Sequence, residues 1–469
     1  MVGSVSGGGS PRSAGSPRSA GSEAGVNLPA LRSHNAALVL DLLRTAGEAG
    51  ISRLELAERT GLTPQAVSKI TARLRAEGLA REAGHRASTG GKPRTVLRLV
   101  PTAAYAVGVH LDRDELTAVL VDLSGVRVAV RRTPLDLGAG TEVVFDAVER
   151  EVRAVRDEAV GAVAVAAVSE AGAGESGAEG DGEGAAVSAA SRRPSEPRGS
   201  GAAASARSQG SGRPGGDAPA SVRSGVPGVA GAGPSAPFPA SGLVHAAPSA
   251  PDQALTPAVL GVGVAMPGPL DHLAGTPGRV TGHPAWEGVP LRDELTRRLG
   301  LPVALDKETN AAALGLALHA DAPAADSFAY LHLGTGLGSG LVLGGALHRG
   351  ARTGAGEFGH QTVLLDGPSC GCGGRGCLEV LCLAAVARGD VPEAARVLGT
   401  GAVNLVRLLD IDRVVLGGRV VAAAPEAFVG GVGAVLAEAG LGTPVSGATS
   451  PYAVAEGAAQ LILAPIFGK

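Results

Sequence analysis

Hydrophobic positions in this chain follow a helical period first and an alternating one afterwards. Leu38, Leu42 and Leu43 recur on one face beyond Leu28, predicting a helix that stops near Gly47 to Gly50. Ser52 with Glu55 three residues later is a capping-box pattern, predicting a second helix through Leu54, Leu56 and Ala57 that ends at Thr60-Gly61-Leu62. Thr63 followed by Pro64 predicts a third helix with Val67, Ile70 and Leu74 on its apolar face. A strand-like run after Gly78-Leu79, a loop from Gly84 to Pro93 and a return strand from Thr95 to Leu99 complete a helix-turn-helix with a wing.

From Tyr105 the period changes to two. Three runs, AVGVHL, LTAVLVDL and VRVAVRR, predict a strand meander, and a helix follows near Glu142 to Glu158. Val259 to Met266 reads as a buried strand, Trp286 to Leu299 as an amphipathic helix, and Phe328 to Leu347 as two strands around a glycine-rich turn. Glu393 to Leu409 predicts a helix, Val414 to Leu416 a strand and Ala455 to Leu463 a closing helix. The glycine run Gly334 to Gly340 opens a strand where a dinucleotide fingerprint opens a helix, so the Rossmann reading fails.

Two stretches lack periodicity. Residues 1–26 hold the near-duplicate GSPRSAGSPRSAGS and read as a disordered arm; Arg12 and Arg18 belong to a solvated tail, with a brush against DNA the alternative. Residues 169–256 are Ala, Gly, Ser, Pro and Arg, a disordered insertion between a helix and its next strand. The expected organisation is therefore a DNA-binding domain over 27–99 and an α/β domain over 100–168 and 257–469.

Composition sharpens the first domain. The net charge of −3 is indecisive. Between Leu28 and Leu99, however, 12 Lys and Arg stand against 6 Asp and Glu, an excess of +6 suited to phosphates. On the third helix Gln65, Ser68, Lys69 and Arg73 form the polar face, side chains suited to base edges and phosphates in a major groove, while Arg86, Lys92 and Arg94 put cations on the wing. Aromatic residues are 2%, which argues against base stacking. The N-terminus lacks the apolar core of a secretory signal, and the longest apolar run, Ala159 to Val168, is far short of the roughly 20 residues that span a bilayer. The expectation is a soluble, cytoplasmic protein.

The densest chemistry lies between Gly354 and Glu379. His360 followed by Cys370, Cys372 and Cys377 supplies the ligand number and type of a closed tetrahedral zinc site, with glycines at 371, 373, 374 and 376 allowing a tight loop. With Cys382 the cysteines number four, and two disulfides are the alternative; Cys370 and Cys372 sit too close to pair comfortably.

The motif E-x-G-H at 357–360 followed by C-x-C-G-x-x-G-C-x-E at 370–379 resembles the signature of the ROK family, which groups sugar-responsive repressors with sugar kinases. The series N-x-x-x-V-L, S-R-x-E-L-A, T-G-L-T, A-V-S-K and E-G-L resembles the winged helix of its repressors, with Gly91-Lys92-Pro93 where Gly-Arg-Pro is usual. The resemblance implies a winged helix-turn-helix followed by a two-lobed, actin-like (ribonuclease H-like) domain. It implies a structural zinc on His360, Cys370, Cys372 and Cys377, and sugar contacts from Glu357, His360 and Glu379; Gly268 lies in the family's P-G-P loop beside the sugar. Cys382 falls outside the pattern and reads as a small buried residue.

Two departures bear on catalysis. Where family kinases turn through D-x-G-G-T, this chain has His110, Asp112, Arg113 and Asp114, two acids and no glycine, so ATP use is not expected. Where they carry Asn and the base Asp, it has Lys307 and Glu308. Glu308 displaces the carboxylate by roughly an ångström, and Lys307 can pair with Glu308 and occupy sugar space. A surface ion pair is the plain alternative for both.

The resemblance implies a transcriptional regulator, a repressor of carbohydrate genes, that binds double-stranded operator DNA as a homodimer or homotetramer under control of a sugar or sugar phosphate. An active sugar kinase with an appended DNA-binding domain is the alternative, and a regulator that has lost its sugar is a third reading.

Overall fold

The computed structural model describes residues 28–86, 94–174, 258–319 and 326–469. Lys92 and the greater part of the wing tip, the N-terminal arm and most of the expected insertion lie outside the described residues.

Helix α1 (Leu28–Ala46) runs into a 3₁₀ turn at Gly47–Ala49. Its buried stripe is Ala36, Val39, Leu40 and Leu43, so the core face is rotated from the expected one and Leu38 and Leu42 are only half-buried. After the short strand β1 (Ile51–Ser52), helix α2 (Arg53–Thr60) is opened by the expected capping box: Ser52 Oγ accepts from the Glu55 amide, and Glu55 accepts from the Ser52 amide. Gly61 in the left-handed region ends α2. Leu54, expected on the apolar face, is exposed; Leu56 and Ala57 carry the burial. Thr63 caps α3 (Pro64–Ala76), which buries Val67 and Leu74. Strands β2 (Ala80–Arg86) and β3 (Arg94–Leu99) pair antiparallel, and β1 adds to β3.

Two five-stranded sheets follow, built on the same plan. In the first, β4 (Tyr105–Leu111), β5 (Glu115–Asp122) and β6 (Arg127–Pro134) form an antiparallel meander. Helix α4 (Thr141–Gly174) covers it, continuing past the expected end at Glu158. The Ala-rich stretch there has high helix propensity once its strand-like valines are discounted. Strand β7 (Val259–Met266) joins β4 in parallel; after the hairpin β8 (Leu270–Asp271) and β9 (Thr276–Pro277) and helix α5 (Leu291–Leu299), β10 (Val303–Lys307) joins β7 in parallel.

Helix α6 (Glu308–Ala317) leads to the second sheet: β11 (Phe328–Leu333), β12 (Leu337–Leu343) and β13 (Ala346–Leu347) form its antiparallel meander. Helices α7 (Leu378–Ala387) and α8 (Val391–Leu409) precede β14 (Arg413–Gly417), which joins β11 in parallel. Helices α9 (Arg419–Ala423) and α10 (Pro425–Glu438) precede β15 (Val445–Gly447), parallel to β14, and α11 (Ala453–Leu463) ends the fold with a 3₁₀ turn at Ala464–Phe467.

The lobes meet through α6 and α11, whose surfaces are stripped to Ala and Gly. A Cβ at Gly457 of α11 would lie 1.9 Å from the Ala311 carbonyl oxygen of α6, one at Gly263 of β7 1.8 Å from Ala458 O of α11, and one at Gly340 of β12 2.0 Å from Thr309 O of α6. The winged helix shares its core with the first lobe: Val39, Leu43, Leu74 and Leu97 belong to one buried cluster with Ala106, Val119, Ala455, Leu463 and Phe467. Arg44 of α1 donates to the Leu318 carbonyl at the end of α6 (2.9 Å), and Lys469 pairs with Asp41 (2.9 Å). Among the described residues no helix is long and apolar enough to cross a membrane.

Candidate functional site

Strand β10 ends at Lys307 and α6 begins at Glu308, so two adjacent side chains leave the backbone in different directions at the mouth of the cleft. A cavity of about 60 Å³ forms there. Its wall includes all six residues expected at a sugar, Gly268, Lys307, Glu308, Glu357, His360 and Glu379, together with Arg113, Thr281, Thr309, Gly336 and Gly356. The last five come from turns and helix starts that contact the cavity only through the fold; Arg113 and Gly336 lie in loops the sequence marked for other reasons.

The expected Lys307–Glu308 pair does not form. Lys307, only 3% exposed, reaches Glu357 (3.0 Å) and the Ala355 carbonyl (2.5 Å). Glu308 instead meets His110 Nε2 (3.2 Å). Burial works against the Glu308 charge, but His332, His110 and Arg113 outweigh it and hold the carboxyl down to about 2. Burial pushes the His332 imidazole down, and its ring accepts or donates at Tyr330 Oη (3.0 Å) according to tautomer. Glu379 is engaged by the Leu337 amide (2.9 Å). Beneath the pocket Asp306 is fixed by Arg349 (2.6 Å) and Asn310 (2.8 Å).

The turn after β4 is tied across the cleft. Asp114 forms a two-pronged pair with Arg419 at the start of α9 (2.7 Å each), and Arg419 also reaches Asp112 (3.4 Å). Asp112 accepts from Thr335 (3.2 Å), and Arg113 Nη1 donates to the Thr335 carbonyl (3.1 Å). The two acids expected to repel a triphosphate are thus spent on contacts with the opposite lobe.

Next to the pocket, one atom from each of His360, Cys370, Cys372 and Cys377 gathers within 4.8 Å of the others. Cys372 Sγ and Cys377 Sγ are 3.7 Å apart, as are Cys370 Sγ and His360 Nδ1. A tetrahedral zinc with Zn–S bonds of about 2.3 Å has a ligand-to-ligand edge of about 3.8 Å, so both separation and donor set fit that ion. Gly374 places its amide on Cys372 Sγ (3.4 Å). All four cysteines are free thiols, and Cys382 is buried against the Ala394 carbonyl.

On α3, Gln65, Ser68, Lys69 and Arg73 are all exposed, on the side opposite Val67 and Leu74. Arg73 makes a loose pair with Glu77 (3.5 Å). Arg86 ends β2 and Arg94, exposed, begins β3, so both flank the wing tip; Lys92 is not among the described residues.

Comparison with known proteins matches the ROK family model to residues 241–387 and a winged helix-turn-helix DNA-binding model to residues 39–81. The xylose repressor of Caldicellulosiruptor bescii is 38% identical over 114 residues, 24% of this chain and 28% of that protein. The glucokinase of Thermotoga maritima is 42% identical over 123 residues, 26% of this chain and 38% of that protein. The xylose repressor of Bacillus subtilis is 35% identical over 95 residues, 20% and 25% of the two. The matched segments therefore span about a quarter to two fifths of these relatives. In fold, the chain resembles the crystal structure of a ROK family transcriptional regulator, a homologue of the E. coli MLC protein, with a TM-score of 0.58 at 18% identity over 93% of this chain and 97% of that one.

Proposed function

We propose that this chain, which carries a ROK family domain behind a winged helix-turn-helix domain, is a DNA-binding transcriptional regulator, a repressor of carbohydrate genes, whose pocket responds to a sugar or sugar phosphate. The observation that carries this reading is the union of the two ends: α3 offers Gln65, Ser68, Lys69 and Arg73 to solvent while its inner face shares one core with the domain that holds the pocket. Gln65 and Ser68 serve base edges, and Lys69, Arg73, Arg86, Lys92 and Arg94 serve phosphates. Glu357, His360 and Glu379, with Gly268, Lys307 and Glu308, hold ligand hydroxyls. His360, Cys370, Cys372 and Cys377 hold a structural zinc, which braces the loop that presents His360 to the pocket.

Regulation follows by population shift. Helix α6 starts in the pocket and ends on Arg44 of α1, so a ligand that favours one lobe arrangement biases the winged helix as well. One small winged helix covers too little DNA for tight specific binding, and two copies, or four, present paired α3 helices.

An active sugar kinase is the second reading, favoured by the glucokinase similarity. Against it stand Glu308, committed to His110, and Asp112 and Asp114, committed to Arg419. The test is genome-wide mapping of DNA occupancy with the native chain and with Lys69→Ala and Arg73→Ala combined, beside an ATP-consumption assay over a sugar panel. Discrete sites lost in the double variant support the regulator; no sites together with robust turnover on any sugar would replace it with the kinase.

A further inference from the structure

We infer that residues 349–357 form a strap latched over the pocket by Lys307, and that a ligand enters only when the Lys307 ammonium lets go of Glu357. The inference rests on the pocket binding a hydroxyl-rich ligand, as proposed above.

Consecutive residues of β10 hold the two ends of this segment. Asp306 pairs with Arg349 at its start (2.6 Å), and at its end Lys307 donates to the Ala355 carbonyl and to Glu357 (3.0 Å to Glu357). Between them Thr353, 3% exposed, sits at a φ of 58°, a left-handed conformation that a β-branched residue adopts only under constraint. His272 supplies the constraint: its Nδ1 lies 2.7 Å from Thr353 Oγ1, and its amide donates to the same oxygen (3.4 Å). At the far end Gly356 is seated on β12, its carbonyl accepting from the Ser339 amide (2.9 Å). The segment is thus a strained loop pinned by a few side chains, with Gly356 as its pivot.

Lys307 is the pin that obstructs the pocket. A Cβ at Gly268 would stand 2.7 Å from Lys307 Cδ and 3.5 Å from Glu357 Oε1, so the lysine stem passes across Gly268 to the carboxylate expected to meet hydroxyls. The cavity that remains is about 60 Å³. That is room for a handful of waters at roughly 10–15 Å³ each, fewer atoms than a pentose carries. A sugar hydroxyl reaches Glu357 only in place of the ammonium. Once released, the ammonium can turn to ligand hydroxyls, but a charge facing a neutral hydroxyl is held less strongly than a charge facing a carboxylate. Apparent affinity is therefore lowered in proportion to how rarely the latch is open.

The experiment uses the full-length chain and its Lys307→Met and Lys307→Ala variants; methionine keeps an unbranched stem over Gly268 and removes the ammonium. Trypsin cleavage after Arg349 and Arg352, identified by mass spectrometry of the fragments, reads opening of the strap, and calorimetric titration with xylose and glucose reads binding. We expect cleavage at these two arginines to rise about tenfold or more in both variants while other sites keep their rates. Affinity for whichever probe binds should rise about tenfold or more in K307A, and by less in K307M. Cleavage at the wild-type rate in both variants overturns the latch. Faster cleavage with unchanged or weaker affinity overturns the gate and leaves the sugar-binding reading standing. Binding of neither probe to any of the three chains removes that reading and the gate with it. Thermal unfolding of each variant, expected within a few degrees of wild type, separates a released strap from general loss of folding.

Discussion

The contact between α6 and α11 gives the sharpest quantitative prediction. A Cβ added at Gly457 meets Ala311 O at 1.9 Å, Ala311 C at 2.4 Å and Ala312 N at 3.0 Å, all backbone atoms that no rotamer change can move aside. Bringing the first contact to the 3.0 Å below which such contacts are essentially never seen requires the helices to part by at least 1.1 Å. Overpacking of this kind destabilises by about 1–3 kcal/mol, while Gly→Ala within a helix contributes about 1 kcal/mol in the other direction. Gly457→Ala should therefore lose up to about 2 kcal/mol. Gly430→Ala in α10 is the matched control, because nothing lies within 4 Å of its added Cβ and its φ is not positive; it should gain about 0.5–1 kcal/mol. Urea titration followed by circular dichroism measures both. If the two variants shift in the same direction, the close-packed contact between the helices is not what the structure indicates. Since α6 carries Glu308 at one end and meets Arg44 at the other, Gly457→Ala should also alter operator affinity in an electrophoretic shift assay, and Gly430→Ala should not.

Purified chain should contain about one zinc per polypeptide by elemental analysis; Cys372→Ser should abolish the metal and lower the unfolding temperature, and retention of full metal by that variant would exclude the Cys cluster as its site. Ser52→Ala removes half of a reciprocal capping box and should lower stability by about 1 kcal/mol, read from the same urea titration. The Glu308 carboxyl is depressed from 4.5 to about 2, so its ionised form contributes stability above the upper value that is lost as pH falls towards the lower one. Comparing melting temperatures from pH 6 down to pH 3, the wild type should lose more than Glu308→Gln over that window; parallel curves would show that Glu308 is not held ionised.

How much of this was legible in sequence depended on whether the signal was local. Ser52 with Glu55, and Thr63 with Pro64, specify helix starts through bonds within four residues, and both caps stand where the pattern put them. The rotation of the α1 face was not legible, because Leu38 and Leu42 are as apolar as Val39 and Leu40; the choice is made by β3 and the 3₁₀ turn that follows α11. Lys307 was assigned to its neighbour Glu308 on proximity in sequence, but the chain passes from strand to helix between them and the lysine goes to Glu357, fifty residues on. Helices α9 and α10 gave no clear pattern, since Gly430, Gly431 and Gly433 lower propensity; Gly431 is there for contact with Ala395 of α8, a tertiary reason. The convergence of Gly268, Glu357, His360 and Glu379 was legible only through the family motif, and Arg419, which ties down Asp112 and Asp114, carried no sequence signal at all.

The core that joins the winged helix to the first lobe has a consequence for how this protein can be rebuilt. A DNA-reading module with its own closed interior can be cut out and grafted as a cassette. Here a cut after Leu99 uncovers Val39, Leu43 and Leu97 on one side and Ala106, Val119, Ala455 and Phe467 on the other, leaving two sticky halves. A sensor with altered operator choice is therefore better made by repainting Gln65, Ser68, Lys69 and Arg73 on the native scaffold than by exchanging residues 28–99 wholesale.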